Sequence, residues 1–298
     1  MRRPVDGVFL LDKPSGISSN AALQRVKRRF SAIKAGHGGT LDPLASGLLP
    51  IVFGEATKFA GQFLESDKVY ETCLTLGAAT ATGDAEGEVV ARAEVAINES
   101  IVRATLQSFH GEYMQTPPMY SAIKVQGTPL YKLAREGQNI DRQPRRVRIR
   151  RLELREFTPN SLSLYIECSK GTYIRTLGED IALALGTVGH LNSLRRVRTG
   201  AYSVVDATTL DVVESIDSAD LVMRMLSLEA MFEDFPRVVL TPVDSARFRN
   251  GMAVKCIAPL GNCGVFDSNG TLIGVGLTDA VGSIRPQRIR ATGSHANS

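Results

Sequence analysis

The sequence predicts an α+β fold, with a mixed α/β body followed by a small β-rich module at the C-terminal end. In the body, short runs of period-two hydrophobicity alternate with segments of helical periodicity. From about Pro236 the pattern changes to short apolar strands separated by the turn sequences RNGM, PLGN and DSNG. The 298 residues are 43% hydrophobic and 22% charged, which is ordinary for a soluble globular protein of one large domain or two.

The first strand is predicted over residues 7–11, an apolar run that ends in the turn sequence DKPSG. A helix follows in SSNAALQRVKRRF, where Leu23, Val26 and Phe30 recur at helical spacing behind polar N-cap candidates. The other face of this helix carries four basic residues, namely Arg25, Lys27, Arg28 and Arg29. VYETCLTLG then alternates as a strand does, and TATGDAEGEVV is typical of a loop that leads into another strand.

The later part of the body contains one clear strand and one helix. SLSLYIECS alternates, and it places four residues on one side: Leu162, Leu164, Ile166 and Cys168. The second half of KGTYIRTLGEDIALALG has helical periodicity. Between the strand predicted after TATGDAEG and the strand in SLSLYIECS, residues of about 114–146 are rich in proline, glycine, lysine and arginine. This composition predicts an extended insertion with one short helix near YKLAREG. We predict domains at 1–235 and 236–298, the second ending in a disordered polar tail, ATGSHANS.

Charge is distributed unevenly along the chain. The net charge is +4, but basic residues concentrate at 27–29 and 142–151, whereas 206–234 is acidic, which favours a nucleic-acid ligand. Asp12 and Lys13 interrupt the N-terminal apolar run, so we expect neither a signal peptide nor a membrane span. The four cysteines form no C-x-x-C pair and the four histidines do not cluster with them, which indicates a reducing cytoplasm and no metal site.

AGHGGTLDPLASGLLP contains one charged side chain, Asp42, among glycines, prolines and small apolar residues that are typical of a buried segment. An ionised carboxylate is costly to desolvate unless it is paired, so a lone one needs an explanation. Held in a dry pocket, it is a suitable nucleophile because it is ionised at neutral pH without a separate base. The alternative is a turn carboxylate that caps backbone amides ahead of Pro43.

Eight blocks occur in order over most of residues 7–203: DKPSGISS, GHGGTLDPLASGLLP, GEATKF, SDKVY, TGDAEGE, QTPPMYSAIKVQGTPLYKLAREG, CSKGTYIRTLGEDI and HLNSLRRVRTG. In this series the chain resembles the TruB family of bacterial tRNA pseudouridine-55 synthases. The resemblance implies a pseudouridine-synthase-like catalytic domain around a central mixed or antiparallel sheet, and a PUA-like RNA-binding domain at the end. It also implies isomerisation of a T-loop uridine of tRNA, with no cofactor and no metal. We expect a cytoplasmic monomer that binds the T-arm stem-loop.

The resemblance assigns the chemistry to Asp42, Tyr70 and Arg175. Asp42 becomes the catalytic carboxylate, and Arg175 its partner, because a guanidinium stays protonated and can hold both carboxylate oxygens. Asp42 could attack ring C6, attack the anomeric C1′, or assist departure of the base through an oxocarbenium or glycal route. The Tyr70 ring would stack on the target base. Its hydroxyl is a candidate proton acceptor from C5, although a phenol with a pKa of about 10 is a poor base at neutral pH.

Six further residues are predicted to bind or support the RNA, five on family motif positions and Arg145 in the basic insertion: Lys13, His37, Lys58, Arg145, Tyr173 and Leu194. The target base must be everted before Asp42 can reach it, and the resemblance implies that His37 fills the vacated stack. Lys13 would support the active-site loop, Leu194 would form a pocket wall, and Tyr173 would align Arg175. Asp84 is expected as a polar support near the site. The insertion resembles a mobile thumb, whose basic residues would contact phosphates.

Two other classes of function fit part of the sequence. An RNA-binding or RNA-folding protein without chemistry is compatible with the charge distribution and the C-terminal module. The presence of Asp42, Tyr70 and Arg175 together argues against that reading. A glycosidase typically needs two carboxylates that flank the scissile bond, and the sequence shows no second carboxylate in an equivalent context.

Overall fold

The structure is a computed structural model that describes residues 2–291, so most of the expected disordered tail lies outside the described residues. The prediction of a mixed α/β body with a β-rich C-terminal module is confirmed. The helices are α1 (Ser19–Arg29), α2 (Gly61–Glu65), α3 (Glu99–Ser108), α4 (Leu130–Arg135), α5 (Ile174–Ala184), α6 (Leu210–Ser215), α7 (Ser218–Met223) and α8 (Pro242–Arg249). Short 3₁₀ helices cover Gly54–Phe59, Val204–Asp206 and Glu229–Phe232.

A ten-stranded sheet forms the centre of the body, in the order β14-β1-β3-β12-β4-β11-β10-β7, with β2 on β3 and β13 on β12. It is mixed, because β1 pairs with β14 and β12 with β3 in parallel whereas the other pairs are antiparallel. Its strands are β1 (Gly7–Lys13), β2 (Ala35–His37), β3 (Ser46–Phe53), β4 (Lys68–Leu76), β7 (Gly111–Gln115), β10 (Arg145–Thr158), β11 (Ser161–Cys168), β12 (Gly189–Thr199), β13 (Tyr202–Ser203) and β14 (Thr208–Thr209). The hairpins β5 (Ala78–Thr80) with β6 (Val89–Arg92) and β8 (Lys124–Val125) with β9 (Thr128–Pro129) lie beside it.

The register between the two middle strands decides which side chains can meet. In the antiparallel pair of β4 and β12, Tyr70 lies opposite Arg196 and Thr72 lies opposite Leu194. Opposed residues of neighbouring strands project to the same face, and alternate residues of one strand share that face. Tyr70, Leu194 and Arg196 therefore emerge side by side, although more than a hundred residues of chain separate β4 from β12.

Helix α1 follows the first strand, and its N-cap, its apolar face and its last turn each stabilise it. Ser18 caps it by accepting a hydrogen bond from the Ala21 amide at 3.1 Å, which satisfies one of the free donors at a helix N-terminus. Leu23 and Val26 bury its apolar face as the periodicity predicts. The last turn ends in lysine and arginine, which suits the negative end of the helix dipole.

The insertion predicted at about 114–146 runs from β7 to β10 and contains the β8–β9 hairpin and α4. Helix α4 covers Leu130–Arg135, so the expected short helix near YKLAREG is confirmed. Leu130 is buried, whereas most other side chains of this segment are partly or fully exposed. The segment therefore has little core of its own.

The C-terminal module is a five-stranded sheet in the order β15-β17-β18-β19-β16. Its strands are β15 (Arg237–Val239), β16 (Val254–Lys255), β17 (Gly261–Phe266), β18 (Leu272–Thr278) and β19 (Ser283–Ile289). Phe248 and Ile273 belong to its own core. Phe266 and Leu272 instead pack in a cluster that includes Phe59 of the body. The module is therefore joined to the body by a shared apolar core rather than by a linker alone.

Candidate active site

The loop between β2 and β3 carries Asp42, and the start of α1 holds this loop in place. The Ser19 hydroxyl donates to the Leu41 carbonyl at 2.8 Å and accepts from the Leu41 amide at 2.7 Å. The Asp42 side chain is 38% exposed, so the expectation that it is buried was wrong. No backbone amide of the described residues donates to its carboxylate, which speaks against the turn-capping interpretation. The carboxylate instead faces outward, where a substrate can reach it.

Arg175, in the first turn of α5, is the ionic partner of Asp42. Its Nε lies 3.0 Å from Asp42 Oδ2, and its side chain is only 5% exposed. Nη1 donates to the Thr82 carbonyl and Nη2 to the Tyr120 carbonyl, each at 2.7 Å. These contacts satisfy the guanidinium on several sides, so they hold it in a fixed orientation beside Asp42.

Asp84 adds a second carboxylate to the same guanidinium. Its Oδ2 lies 3.7 Å from Arg175 Nε, and the residue is 3% exposed. The Thr82 hydroxyl and the Glu86 amide donate to Asp84 Oδ1 at 2.5 and 3.1 Å, which fixes the carboxylate in place. Asp84 is therefore the buried partner of Arg175, whereas Asp42 is its partly exposed partner. Two carboxylates on one arginine do not flank a bond, so the geometry does not favour hydrolysis by a glycosidase mechanism.

Tyr70 and Leu194 lie on the same face of the sheet, as the register requires, and both are largely buried. Burial raises the pKa of the Tyr70 phenol, and the neighbouring Arg196 guanidinium opposes that shift. Tyr70 is therefore protonated at neutral pH. Leu194 packs in the main core cluster, and its role as a pocket wall stays a prediction.

Arg196 is a site residue that the sequence interpretation missed. It is 2% exposed, and it donates to the Leu48 carbonyl at 2.9 Å and to the Gly39 carbonyl at 3.4 Å. No carboxylate of the described residues lies within 4 Å of it. The signal was present in HLNSLRRVRTG, because Arg196 follows Leu194 by two residues and therefore shares its face of the strand. This buried cation gives the site a positive potential beneath Tyr70.

Lys13 is fully buried under the active-site loop. Its ammonium donates to the carbonyls of Pro14, Ile17 and Pro43 at 2.8, 2.7 and 3.4 Å. Pro43 follows Asp42 directly, so Lys13 ties the catalytic loop to the turn before α1. Burial lowers the pKa of Lys13 to about 8, against the attraction of Asp42. Its role as a support of the loop that carries Asp42 stays a prediction.

His37 ends β2, immediately before a pair of glycines. Its Nδ1 is buried and has no hydrogen-bond partner among the described residues. Burial, and then the charge of Arg196, lower its pKa, so the ring is neutral at pH 7 and suited to stacking. A Cβ at Gly38 would lie 2.6 Å from Phe63, and Gly39 has a φ of +124°, so both positions require glycine.

Gln115 clamps Tyr173 at the start of α5, and it is a second residue that the sequence interpretation missed. Its Oε1 accepts from the Tyr173 amide at 2.8 Å, and its Nε2 donates to the Tyr173 carbonyl at 3.0 Å. Gln115 is 1% exposed and ends β7, where the insertion begins. Because Arg175 lies two residues beyond Tyr173, this clamp aligns the guanidinium with Asp42.

The second basic cluster of the sequence is largely neutralised within the fold. Arg146 and Arg148 approach Glu112 at 3.3 and 3.8 Å, and two neighbouring arginines pair with other carboxylates. Arg145 has no carboxylate of the described residues within 4 Å, and its charge is close enough to Tyr173 to affect the phenol. Arg142 likewise has no carboxylate of the described residues within 4 Å, and it donates to the carbonyls of Ile140 and Pro117, each at 3.1 Å. Arg142 and Arg145 are therefore the two arginines of this cluster without an ionic partner among the described residues.

Lys58 lies in the 3₁₀ helix Gly54–Phe59. It pairs with Glu55 at 2.7 Å and lines a cavity of about 490 Å³ between the body and the C-terminal module. Gln287 and Arg288 form the opposite wall.

Within the described residues no helix is long and apolar enough to cross a membrane. The described part of the chain also groups no three side chains suited to bind a metal ion.

Comparisons with known proteins agree with this geometry. Residues 27–174 match the N-terminal domain of TruB family pseudouridylate synthases. Residues 175–246 match the tRNA pseudouridylate synthase B C-terminal domain, and residues 236–289 match the pseudouridine synthase II TruB C-terminal domain.

Curated relatives and solved structures extend the likeness to nearly the whole chain. The tRNA pseudouridine synthase B of Burkholderia mallei (strain NCTC 10247) is 46% identical over 98% of this chain and 99% of its own. That of Methylobacillus flagellatus is 44% identical over 97% of this chain and 96% of its own. A chain in the crystal structure of a Cbf5–Nop10–Gar1 complex shares the fold, with a TM-score of 0.73 and 24% identity over 96% of this chain and 85% of its own. The chain therefore belongs to the TruB family of pseudouridylate synthases.

Proposed function

We propose that this chain isomerises the uridine at position 55, in the T-loop of tRNA, to pseudouridine, with Asp42 as the catalytic carboxylate. The observation that carries the proposal is the Asp42–Arg175 pair, in which an outward-facing carboxylate lies 3.0 Å from a guanidinium that the fold holds on its other sides. Asp42, Tyr70 and Arg175 all come from one chain, which supports a monomeric enzyme. Its tRNA substrate supports a cytoplasmic location.

The reaction breaks the glycosidic bond between N1 and C1′ and forms a bond between C5 and C1′. The proton on C5 leaves, and N1 gains one, so the composition of the nucleoside does not change. Asp42 either bonds to C6 or C1′ or stabilises the positive charge on the sugar while the base turns. Each route uses the carboxylate of Asp42, and Arg175 holds that carboxylate in place.

The surroundings of the pair suit a base that has left its stack. Tyr70 offers a ring on which the everted uracil stacks, a contact of about 1–3 kcal/mol. The neutral His37 ring, next to glycines, enters the vacated space in the T-loop. Arg145 and the other cations of the insertion hold phosphates of the T-arm, and the C-terminal module from residue 236 onward acts as an accessory RNA-binding domain.

The substitution Asp42→Asn tests the assignment, because it keeps the size of the side chain and removes the charge. The variant should fold, and its affinity for a T-arm stem-loop should stay within about tenfold of the wild type, since phosphate contacts dominate binding. Turnover should be lost. RNA tritiated at uracil C5 gives the readout, because formation of the C5–C1′ bond releases the tritium to water.

Asp12→Asn is a matched control. Asp12 is also an aspartate paired with an arginine, Arg195, at 2.7 Å, but it lies next to Lys13 on the opposite face of β1. This control should release tritium at close to the wild-type rate. Loss of Arg175 should add little further damage in the Asp42→Asn background, because Arg175 acts mainly through Asp42. Near-normal tritium release by Asp42→Asn would reject the assignment, and joint loss of binding and activity would make Asp42 a structural residue.

A further inference from the structure

A small basic pocket lies at the C-terminal end of α1, outside the site described above. Its volume is about 270 Å³, and its walls are Arg2, Gln24, Lys27, Arg28, Ser31 and Ala32. Three of these six side chains are cations, and none is a carboxylate. The pocket is large enough for a phosphate group and its surrounding oxygens.

The fold holds this pocket together by fixing the N-terminal segment against the end of α1. The Arg3 amide donates to the Ser31 carbonyl at 2.7 Å, and the Ile33 amide donates to the Arg3 carbonyl at 3.1 Å. The Arg3 Nε also donates to the Phe30 carbonyl at 3.3 Å. Ser31 has a φ of +49°, a conformation that is uncommon for a residue with a side chain. Arg2 is therefore anchored beside the last turn of α1.

The cations of the pocket form no ion pair among the described residues, whereas two neighbouring arginines of α1 have partners within the fold. Arg25 pairs with Glu214 at 2.5 Å, and Arg29 donates to the carbonyls of Val213 and Ile216. Arg2, Lys27 and Arg28 have no carboxylate of the described residues within 4 Å. The helix dipole explains why Lys27 and Arg28 are tolerated at the end of α1. It does not explain Arg2, which reaches the same place from another segment.

The pocket is connected to the RNA contacts already described. From Ala32 the chain passes exposed Lys34 and continues as β2 to His37. The Lys34 carbonyl accepts from the Gly54 amide at 3.1 Å, and Lys34 lies close enough to Glu55, the partner of Lys58, to affect its carboxyl. The other end of α1 contacts Leu41, about 16 Å away along the helix axis. An RNA with its base at Asp42 can therefore reach the pocket.

We infer that the pocket formed by Arg2, Lys27 and Arg28 binds a backbone phosphate of the substrate RNA while the target uridine occupies the catalytic cleft. This inference rests on the proposed function, because it takes the RNA to be the tRNA that the cleft accepts. The pocket contributes to affinity and not to the chemical step. Its neutralisation should therefore change the KM and not the kcat.

The triple variant Arg2→Gln, Lys27→Gln and Arg28→Gln tests the inference. We expect its Kd and its KM for a tritiated T-arm stem-loop or for full-length tRNA to rise about tenfold, while the rate at saturating RNA stays at the wild-type value. The slope of log affinity against log salt concentration should fall by about one, as for the loss of one phosphate contact. Fluorescence anisotropy across a salt series measures the slope.

The matched control is the triple variant Arg103→Gln, Arg151→Gln and Arg155→Gln, which removes the same charge from exposed arginines that already pair with carboxylates. If both variants bind both RNAs like the wild type, or weaken binding equally, the pocket is not a phosphate site. A fall in the rate at saturating RNA with unchanged KM would also overturn the inference. Failure of the proposed function is recognised separately, because the wild type would then release no tritium from either RNA.

Discussion

At the scale of single residues, Tyr70 has an aromatic ring and a hydroxyl whose pKa is shifted in opposite directions by burial and by a neighbouring charge. Burial raises the pKa of its phenol, whereas the Arg196 guanidinium stabilises the phenolate. A phenol that is protonated at pH 7 accepts a proton from C5 only if it first loses its own. Arg196 is well placed to make that loss less costly, because it lies opposite Tyr70 on the neighbouring strand and has no carboxylate of the described residues within 4 Å.

Tyr70→Phe separates stacking from proton transfer, because it keeps the ring and removes the hydroxyl. We expect RNA affinity to stay within about threefold, since stacking is retained. Tritium release in a single turnover should fall by about 10²-fold or more, the usual contribution of a positioned proton-transfer group. Tyr70→Leu should weaken binding as well. A Tyr70→Phe variant that releases tritium at the wild-type rate would exclude the hydroxyl from the chemistry.

At the scale of elements, the catalytic loop depends on one buried ammonium. Lys13 ends β1, and its ammonium donates to three carbonyls. Those of Pro14 and Ile17 lie in the turn before α1, and that of Pro43 lies in the loop that carries Asp42. A neutral amine has only two N–H groups, and its lone pair would face a carbonyl oxygen. Loss of the proton should therefore loosen the loop that carries Asp42.

This dependence predicts an alkaline fall in activity. Because burial lowers the pKa of Lys13 to about 8, kcat/KM should decline as the pH rises through about 8, and Lys13→Met should be weakly active without that limb. Unfolding would not explain the decline. Between about pH 8 and pH 10.5 the unfolded chain holds a proton on Lys13 that the folded chain lacks, so the contribution of Lys13 to stability rises with pH.

Lys68 provides the control for this profile. Burial lowers its pKa to about 8 as well, but its ammonium serves the carbonyls of Leu64 and Ser66 rather than those of the catalytic loop. Lys68→Met should therefore keep the alkaline limb. An unchanged limb in Lys13→Met, or its disappearance in Lys68→Met alone, would transfer the effect away from Lys13.

At the scale of the whole molecule, the C-terminal module and the body share an apolar cluster. Phe59 and Phe63 of the body, Phe232 of the connecting segment, and Phe266 and Leu272 of the module pack in this cluster. The Ala291 amide also donates to Glu55 at 2.7 Å. Removal of residues 236–298 would expose this cluster, so a truncated chain would lose stability as well as RNA contacts.

Leu272→Ala tests the coupling. The side chain is fully buried, so the free energy of unfolding should fall by about 2–5 kcal/mol, and the chain should still unfold in one transition. Ile273→Ala, on the other face of β18 and inside the module's own core, is the comparison. Urea unfolding followed by tyrosine fluorescence and by circular dichroism provides the measurement. Two separated transitions in the wild type would show that the modules are independent.

The sequence by itself determined the fold class and the family, and it predicted the central chemical groups. Period-two and helical patterns are local, so the strands and helices that they predict need no knowledge of the partners. The motif blocks made Asp42, Tyr70 and Arg175 candidates, and the structure brings Asp42 and Arg175 to 3.0 Å. Asp42 could be found because it is the one charged side chain of its segment, whereas Tyr70 and Arg175 were found through the resemblance of their motifs to the family.

Only the tertiary structure decided which groups surround that set. Asp84 shares Arg175 with Asp42, Gln115 clamps Tyr173, and Arg196 lies opposite Tyr70, each across a long stretch of chain. The structure also showed that four arginines of the second basic cluster pair with carboxylates, which leaves Arg142 and Arg145 without such a partner among the described residues. The physical reason is that strand register and long-range packing fix these distances, and the energy of a charge depends on the partner that the fold places beside it.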